Sequence, residues 1–238
     1  MSKALPYLLI LSLLGNLVGV FALYKAYDYR KKMILAWAQS HEWTSEFHAR
    51  PQSADQPAEG VDVVLLGASI TAHWDPARQL TGHRIVNKGI DGQFASQLLL
   101  RFQHDVIDLH PKMVVIKLCE MNFAHQVPFS ISQDNVKMMT ALARANGIRT
   151  VVATVIPVTE RYDAQKQRAI NHTIQAFNRW LVEYAAANQL TVLDLASPLS
   201  DAKGFLQPQY TDDGVHPNFA GYERMTQALH RLLAAENR

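Results

Sequence analysis

The stretch Val61-Asp-Val-Val-Leu-Leu-Gly-Ala-Ser-Ile-Thr-Ala-His-Trp-Asp75 is the part of the sequence that best indicates the fold. It begins with valines and leucines, which are typical of a buried strand. This run stops at Gly67 and Ala68, and a serine follows directly. A loop needs no serine at this place, whereas an enzyme that uses a hydroxyl as its nucleophile often has one there. Ser69 is therefore a candidate nucleophile at the end of the first strand.

Short apolar runs and helical stretches alternate from residue 61 to the end of the chain. The predicted strands are residues 61–66, 84–86, 113–118, 150–156 and 190–195. The predicted helices are residues 94–108, 131–146, 164–188 and 217–235. Continuous apolar strands separated by helices indicate a parallel sheet that helices cover on both faces. Residues 61–238 are thus predicted to form one three-layer α/β domain.

Ligands of such domains bind where the strands end at their carboxyl side. The predicted strand ends place Ser69, Gly89 and Asn122 along one rim, together with the loop after Leu195. We therefore expect the functional site at this rim.

A candidate base for the serine lies in Tyr-Thr-Asp-Asp-Gly-Val-His-Pro-Asn, residues 210–218. A serine hydroxyl is a poor nucleophile unless a base takes its proton and a third group holds that base. Asp213 precedes His216 by three residues, and a carboxylate this close can hold the imidazole in one tautomer and stabilise its cation. Asp212 is an alternative partner on spacing alone.

Composition excludes several other classes of protein. The 238 residues are 48% hydrophobic and 18% charged, which is typical of a globular protein. The formal net charge is +2 and no dense basic patch occurs, so no nucleic-acid partner is expected. The pair His41-Glu42 would need a second histidine at position 45 to resemble a zinc motif, and that residue is Ser45. No metal and no cofactor are expected.

Four short blocks of the sequence resemble those of the SGNH hydrolases, also called the GDSL family. The blocks are Gly67-Ala-Ser69, Asn87-Lys-Gly-Ile-Asp-Gly92, Glu120-Met-Asn-Phe123 and Asp213-Gly-Val-His216. They are similar to the family's Gly-Asp-Ser block, its glycine-containing second block, its Gly-x-Asn-Asp block and its Asp-x-x-His block. The resemblance covers about residues 61–235. The chain departs from the pattern at Ala68, Glu120 and Phe123, where the family usually has Asp, Gly and Asp.

The resemblance implies a flavodoxin-like hydrolase that cleaves carboxylic esters, either O-acyl or O-acetyl, of a small molecule or a glycan. Ser69 would attack the carbonyl, His216 would act as base and then as acid, and Asp213 would orient the imidazole. The backbone N–H groups of Ser69 and Gly89 and the side-chain amide of Asn122 would stabilise the oxyanion. An O-acyltransferase with the same triad and a non-catalytic binding protein on the same fold are the alternatives.

Two further residues are candidates for substrate binding. Glu120 would bring a carboxylate near the rim, where it could contact a substrate, or it could be a surface residue paired with a lysine. Trp74 follows the nucleophile and could line a sugar or acyl pocket, or it could belong to the core.

The amino-terminal segment differs from the rest of the chain. Between Lys3 and Lys25 lie 21 residues without a charge, and a helix of that length reaches about 30 Å, the thickness of a bilayer core. We predict a membrane anchor at residues 1–25, with a signal sequence as the alternative, then a helix and linker at 26–60 and the hydrolase domain at 61–238. Basic residues after the span favour the cytoplasm, but exported proteins also begin with a short basic tail and an apolar run. We expect the hydrolase domain to lie in an extracytoplasmic or periplasmic location, and a location in the cytoplasm is the alternative.

Overall fold

The computed structural model describes residues 5–42, 60–125, 127–160 and 164–236. Contacts divide the chain into two units, residues 1–51 and residues 52–238. The described residues of the first unit form one long helix, α1 (Leu5–Glu42). The second unit contains the sheet and the remaining helices. The predicted linker at residues 51–60 lies outside the described residues, apart from Gly60.

Residues 5–24 of the apolar run near the amino terminus lie within helix α1. The helix continues beyond this run through Lys25, Asp28 and Lys32, and Nζ of Lys32 lies 2.9 Å from Oδ2 of Asp28. In the part of the chain whose residues are described, no helix is long and apolar enough to cross a membrane. The membrane anchor predicted at residues 1–25 is therefore not found among the described residues.

Five parallel strands form one sheet in the order β2-β1-β3-β4-β5. The strands are β1 (Val63–Gly67), β2 (Ile85–Gly89), β3 (Met113–Lys117), β4 (Arg149–Ala153) and β5 (Thr191–Leu193). This order is the flavodoxin-like one, in which the first strand lies between the second and the third. The register pairs Gly67 with Gly89 and Lys117 with Ala153, so these strands end at a common rim. The predicted parallel sheet is thus confirmed.

Helices of very different length connect the strands. They are α2 (Ser69–Ala72), α3 (Ala95–Leu100), α4 (Phe102–Asp105), α5 (Met121–Ala124), α6 (Phe129–Ala145), α7 (Ala164–Ala187) and α8 (Phe219–Glu236). The single helix predicted at residues 94–108 is instead two short helices and a 3₁₀ turn, because the backbone leaves helical geometry at Arg101, with φ −99° and ψ 7°. The short helices α2 and α5 are not among the four helices predicted above, and each lies just after a strand end at the rim.

Apolar side chains cover both faces of the sheet, because successive residues of a strand point to opposite sides. On one face, Val64, Leu66 and Ile116 pack against side chains of α3, α6 and α7. On the other face, Val63 and Leu65 pack against side chains of α2 and α8. The result is the predicted three-layer α/β/α arrangement, and it holds the ends of β1, β2 and β3 side by side.

Candidate active site

Ser69 lies at the turn from β1 into α2. A side chain at Gly67 would place its Cβ 2.0 Å from Oγ1 of Thr71 and 3.0 Å from the carbonyl oxygen of Lys117, so only glycine fits at the end of the strand. Ser69 is the first residue of α2, and its backbone N–H therefore has no acceptor within the helix. The turn thus presents both a hydroxyl and a backbone N–H donor at the rim.

The side chains of Ser69, His216 and Asp213 form a continuous hydrogen-bonded row. Nε2 of His216 lies 3.0 Å from Oγ of Ser69, and Nδ1 of His216 lies 2.7 Å from Oδ2 of Asp213. A carboxylate only accepts hydrogen bonds, so Nδ1 carries the proton in this contact. In the neutral imidazole Nε2 is then unprotonated and faces the serine hydroxyl. This is the arrangement in which histidine can accept the serine proton.

The other carboxylate oxygen of Asp213 is bonded to the backbone. Oδ1 accepts the N–H groups of Val215 and His216, each at 2.8 Å. Partial burial raises the pKa of Asp213, but the hydrogen bond from the His216 side chain and these two backbone N–H groups outweigh it and lower the pKa to about 2. Asp213 is therefore ionised at neutral pH. The alternative partner, Asp212, instead accepts Nδ2 of Asn218 at 3.4 Å.

The loop that carries Asp213 and His216 is fixed by local hydrogen bonds. Thr211 accepts the N–H of Gly214 on its Oγ1 at 2.9 Å. Gly214 has φ +92°, a conformation that favours glycine, and its carbonyl accepts the N–H of Thr159 at 2.9 Å. These contacts hold the Asp-x-x-His segment in place independently of a ligand.

Asn122 is buried in α5, directly after β3, with a fixed side-chain orientation. Its Oδ1 accepts the backbone N–H of Ala95 at 3.2 Å, and its Nδ2 donates to Oγ of Ser132 at 3.3 Å. An amide nitrogen carries two hydrogens, so Nδ2 keeps a second donor beyond the one given to Ser132.

Gly89 lies at the rim as expected, but its N–H is used within the protein. It donates to Oδ1 of Asn87 at 2.8 Å, while Nδ2 of Asn87 donates to the carbonyls of Thr71 and Trp74 at 2.7 and 2.6 Å. A Cβ at Gly89 would lie 2.1 Å from the backbone nitrogen of Ala72. Glycine is thus required here for packing against α2, which argues against the predicted role of Gly89 in the oxyanion hole.

Gly92, the second glycine of the same block, differs from Gly89 in its backbone conformation and in the use of its N–H group. Gly92 lies in the loop after β2 with φ +72°, a conformation that favours glycine. Within the described part of the chain its N–H has no hydrogen-bond acceptor. Both glycines were visible in Asn87-Lys-Gly-Ile-Asp-Gly92, and spacing alone could not choose between them.

Glu120 does not reach the rim. Its side chain is buried, and Oε2 accepts a hydrogen bond from Sγ of Cys119 at 2.9 Å. Burial, and then the negative charge of Glu120, raises the pKa of Cys119 to about 12, so the protonated thiol is the favoured form at neutral pH. Lys117 is also buried beside them, and burial lowers its pKa. The predicted contact between Glu120 and a substrate is therefore not supported.

Trp74 belongs to the core. Only 1% of its surface is exposed, and its Nε1 donates to Oγ1 of Thr226 in α8 at 2.9 Å. The indole packs with the apolar face of the sheet that α2 and α8 cover. Of the two alternatives for Trp74, a substrate contact or a place in the core, the structure supports the core, because the side chain points inward just after α2.

Three polar residues that interact with His216, with Asp213 or with each other were not predicted. The ring of His73 lies 6.4 Å from the ring of His216, and its Nε2 lies 3.6 Å from Oδ2 of Asp91. The hydroxyl of Tyr222 is buried and has no hydrogen-bond partner among the described residues. Burial, and then the charges of Asp91 and Asp213, raises the pKa of Tyr222. His73 stands in the first quoted stretch, but nothing in that stretch indicated that its side chain would lie beside a distant histidine.

The described residues contain no group of three or more histidine, cysteine or acidic side chains that could hold a metal ion.

The chain is similar to known proteins in sequence and in structure. Residues 65–224 match the GDSL-like lipase/acylhydrolase family. The structure is similar to that of a proposed acylhydrolase from Bacteroides fragilis, with 29% identity and a TM-score of 0.69 over 85% of this chain and 99% of that chain. It is also similar to a GDSL-like lipase from Bacteroides thetaiotaomicron, with 29% identity and a TM-score of 0.68 over 82% of this chain and 97% of that chain.

A more distant similarity concerns the fold alone. A catalytic mutant of an acetylxylan esterase from Geobacillus stearothermophilus is 17% identical, with a TM-score of 0.60 over 72% of this chain and 93% of that chain. No curated protein matches the chain in sequence. Because the family match spans more than half of the chain and includes Ser69 and His216, the chain belongs to the GDSL-like lipase/acylhydrolase family and is a hydrolase of the esterase type.

Proposed function

We propose that the chain is a serine hydrolase that cleaves carboxylic esters through Ser69, His216 and Asp213 and a covalent acyl-enzyme. The observation that carries the proposal is the hydrogen-bonded row from Asp213 through His216 to Ser69, with contacts of 2.7 and 3.0 Å. These residues come from two segments that are 147 positions apart in the chain. Nothing in the packing of the core requires this contact, whereas nucleophilic catalysis does.

The steps follow from the positions of the protons. Nε2 of His216 accepts the proton of the Ser69 hydroxyl as Oγ attacks the ester carbonyl. The resulting imidazolium is stabilised by the ionised Asp213, and it gives its proton to the departing alcohol. Water then attacks the acyl-enzyme while His216 again accepts a proton. The acid is released, and Ser69 recovers its hydrogen.

The negative charge on the carbonyl oxygen requires hydrogen-bond donors at the rim. Two donors are the backbone N–H of Ser69 at the start of α2 and Nδ2 of Asn122, whose orientation Ala95 and Ser132 fix. For a third donor we propose the N–H of Gly92 in place of Gly89, because the Gly89 N–H already donates to Asn87. Gly92 also lies past the end of β2, on the same rim as Ser69.

For the substrate we propose an O-acyl or O-acetyl ester of a small molecule or a glycan. The exposed pair His73 and Asp91 lies beside His216 and offers hydrogen-bonding groups to a polar alcohol part. An acetylxylan esterase among the proteins with this fold is consistent with a glycan ester.

Turnover by the full-length protein on p-nitrophenyl acetate, p-nitrophenyl butyrate and acetylated xylo-oligosaccharides tests the proposal. We expect ester hydrolysis that Ser69→Ala abolishes. Ser197→Ala serves as the control, because Ser197 is exposed and lies in a 3₁₀ turn after β5. Full turnover by a folded Ser69→Ala protein would overturn the proposal. Adding an alcohol acceptor and measuring transesterification distinguishes hydrolysis from acyl transfer.

A further inference from the structure

Arg101 is a buried cation that the reaction described above does not use. It lies between α3 and α4, and only 2% of its surface is exposed. Each nitrogen of its guanidinium has an acceptor on a different element. Nε donates to Oε1 of Gln93 at 2.6 Å, Nη2 donates to the carbonyl oxygen of Gly67 at 2.9 Å, and Nη1 donates to Oδ2 of Asp105.

The charge of Arg101 is balanced locally. A buried guanidinium is costly unless it is paired and hydrogen-bonded, and Asp105 supplies the opposite charge. Oδ1 of the same carboxylate lies 3.6 Å from Nζ of Lys88 in β2. Charge balance therefore requires Asp105, but it does not require the contacts with Gly67 and Gln93.

Those two contacts lead to the segments that carry the proposed oxyanion donors. Gly67 is two residues before Ser69, and Gln93 directly follows Gly92. The carbonyl of Gly67 also accepts the N–H of Ile90 at 3.2 Å, so the turn after β1 and the loop after β2 meet at this oxygen. Arg101 is bonded to both segments through one planar group, whose donors have a fixed relative geometry.

The third donor depends on the same helix. The backbone N–H of Ala95, in the first turn of α3, fixes Oδ1 of Asn122 at 3.2 Å. All three proposed donor segments are thus hydrogen-bonded to the α3–Arg101 segment, two of them through the guanidinium and one through Ala95.

We propose that Arg101 is a positioning residue that sets the geometry of the oxyanion hole by holding the turn after β1 and the loop after β2 on one guanidinium. The proposal rests on the proposed function. In the proposed reaction Arg101 touches no reacting atom, and it acts through Gly67 and Gln93. Its effect is on the transition state, because the donors must face the position where negative charge develops.

The first test compares Arg101→Lys with the control Lys88→Met in the full-length protein. Lysine keeps the positive charge beside Asp105 but lacks the planar fork that bonds Gly67 and Gln93 together. The turnover number kcat is calculated per active site, with active sites counted by their reaction with a fluorophosphonate. We expect this kcat to fall on the order of 10- to 100-fold, because a small misplacement of catalytic groups can lower the rate 100-fold. KM and the midpoint of the pH–rate profile should stay unchanged, because substrate contacts and the triad remain.

The control variant Lys88→Met removes the other cation beside Asp105 and should lower only the melting temperature.

A second pair of variants tests the proposal even if changes at Arg101 impair folding. Gln93→Leu removes the acceptor for Nε, whereas Gln93→Glu keeps an acceptor. The Nε2 of Gln93 is buried without a partner among the described residues, so the carboxylate loses no hydrogen bond there. We expect Gln93→Leu to lower kcat by about tenfold and Gln93→Glu to retain it.

Two outcomes would overturn the proposal. One is a wild-type kcat per reactive site in both Arg101→Lys and Gln93→Leu, which would make the network purely structural. The other is an equal loss of kcat in Lys88→Met. Failure of the proposed function has a different signature, because Ser69→Ala would then retain turnover whatever the behaviour of the Arg101 variants.

Discussion

Nε2 of His216 lies 3.0 Å from Oγ of Ser69, and this contact joins the loop before α8 to the turn after β1. The sequence places the two residues 147 positions apart, and the parallel sheet brings them to one rim. Each is held by its own segment: Ser69 by the close packing at Gly67, and His216 by the carboxylate of Asp213. The pair is therefore organised before any substrate binds.

Asp213 and Asp212 differ in their contacts, and we expect them to differ in their effect on turnover. Asp213→Asn replaces the acceptor for Nδ1–H with an amide, which permits the wrong tautomer of His216. In a Ser-His-Asp site this change lowers kcat by about 10⁴-fold. Asp212→Asn is the matched control and should change kcat less than about threefold, because the Asp212 side chain accepts a hydrogen bond from Asn218 rather than from His216. Initial rates on p-nitrophenyl acetate measure both, and equal losses would contradict the assignment.

The same carboxylate makes a prediction about stability and pH. The pKa of Asp213 is lowered from 3.8 to about 2 in the folded protein, so the folded state binds this proton less readily than the unfolded state. Its stabilising contribution is fully present above the unfolded value and is lost as the pH falls between about 4 and 2. The difference in melting temperature between the wild type and Asp213→Asn should therefore shrink across this range. A difference that stays constant from pH 5 to pH 2 would contradict the prediction.

Asn122 is expected to act in the transition state. Asn122→Ala removes the oriented Nδ2 donor, and loss of one such donor typically lowers kcat by about 10²- to 10³-fold. KM should change little, which is the pattern of an interaction made only in the transition state. Asn135→Ala is the matched control, because Asn135 is also a buried asparagine but lies on α6 outside the site. Melting temperatures exclude misfolding, and a folded Asn122→Ala protein with wild-type kcat would remove Asn122 from the mechanism.

Glu120 provides a contrasting case on the neighbouring turn. Glu120→Gln keeps the shape of the side chain and retains an acceptor for the Cys119 thiol. We expect kcat to change by less than about tenfold, since the carboxylate contacts no proposed catalytic group. A large loss of kcat in this variant, with an unchanged melting temperature, would mean that Glu120 itself takes part in catalysis.

Trp74→Phe separates a core role from a substrate contact. The change removes the hydrogen bond from Nε1 to Thr226 and part of the buried ring, so the free energy of unfolding should fall by about 1–3 kcal/mol. kcat and KM for acetylated sugars should stay at wild-type values at temperatures where the variant is folded. A raised KM without a loss of stability would restore Trp74 as a substrate residue.

The sequence was most informative where local patterns determine the structure. Buried parallel strands carry continuous apolar runs, so β1, β3 and β4 could be recognised from their residues. Asp213 and His216 are three residues apart, so a contact between their side chains could be predicted from their spacing. The pairing of His216 with Ser69 followed only from the resemblance and from the expectation of a common rim.

The errors came from side-chain contacts that no periodicity of the sequence indicates. Trp74 is buried against α8, where its partner Thr226 lies 152 positions further along the chain. Glu120 is buried as well, although its position after a strand suggested an exposed carboxylate. The choice between Gly89 and Gly92 depends on the side chain of Asn87, which no periodicity indicates. At the amino terminus the uncharged run did form part of a helix, but the predicted anchor was not found, and the cellular location stays a prediction.

Covalent labelling with a fluorophosphonate, followed by mass-spectrometric mapping of the modified peptide, identifies the nucleophile directly. A fluorophosphonate reacts with a serine that a neighbouring base activates, and its product stays bound. We expect one modified residue, Ser69, with labelling abolished by Ser69→Ala and greatly slowed by His216→Ala. Modification of a different serine, or unchanged labelling of a folded Ser69→Ala protein, would contradict this expectation.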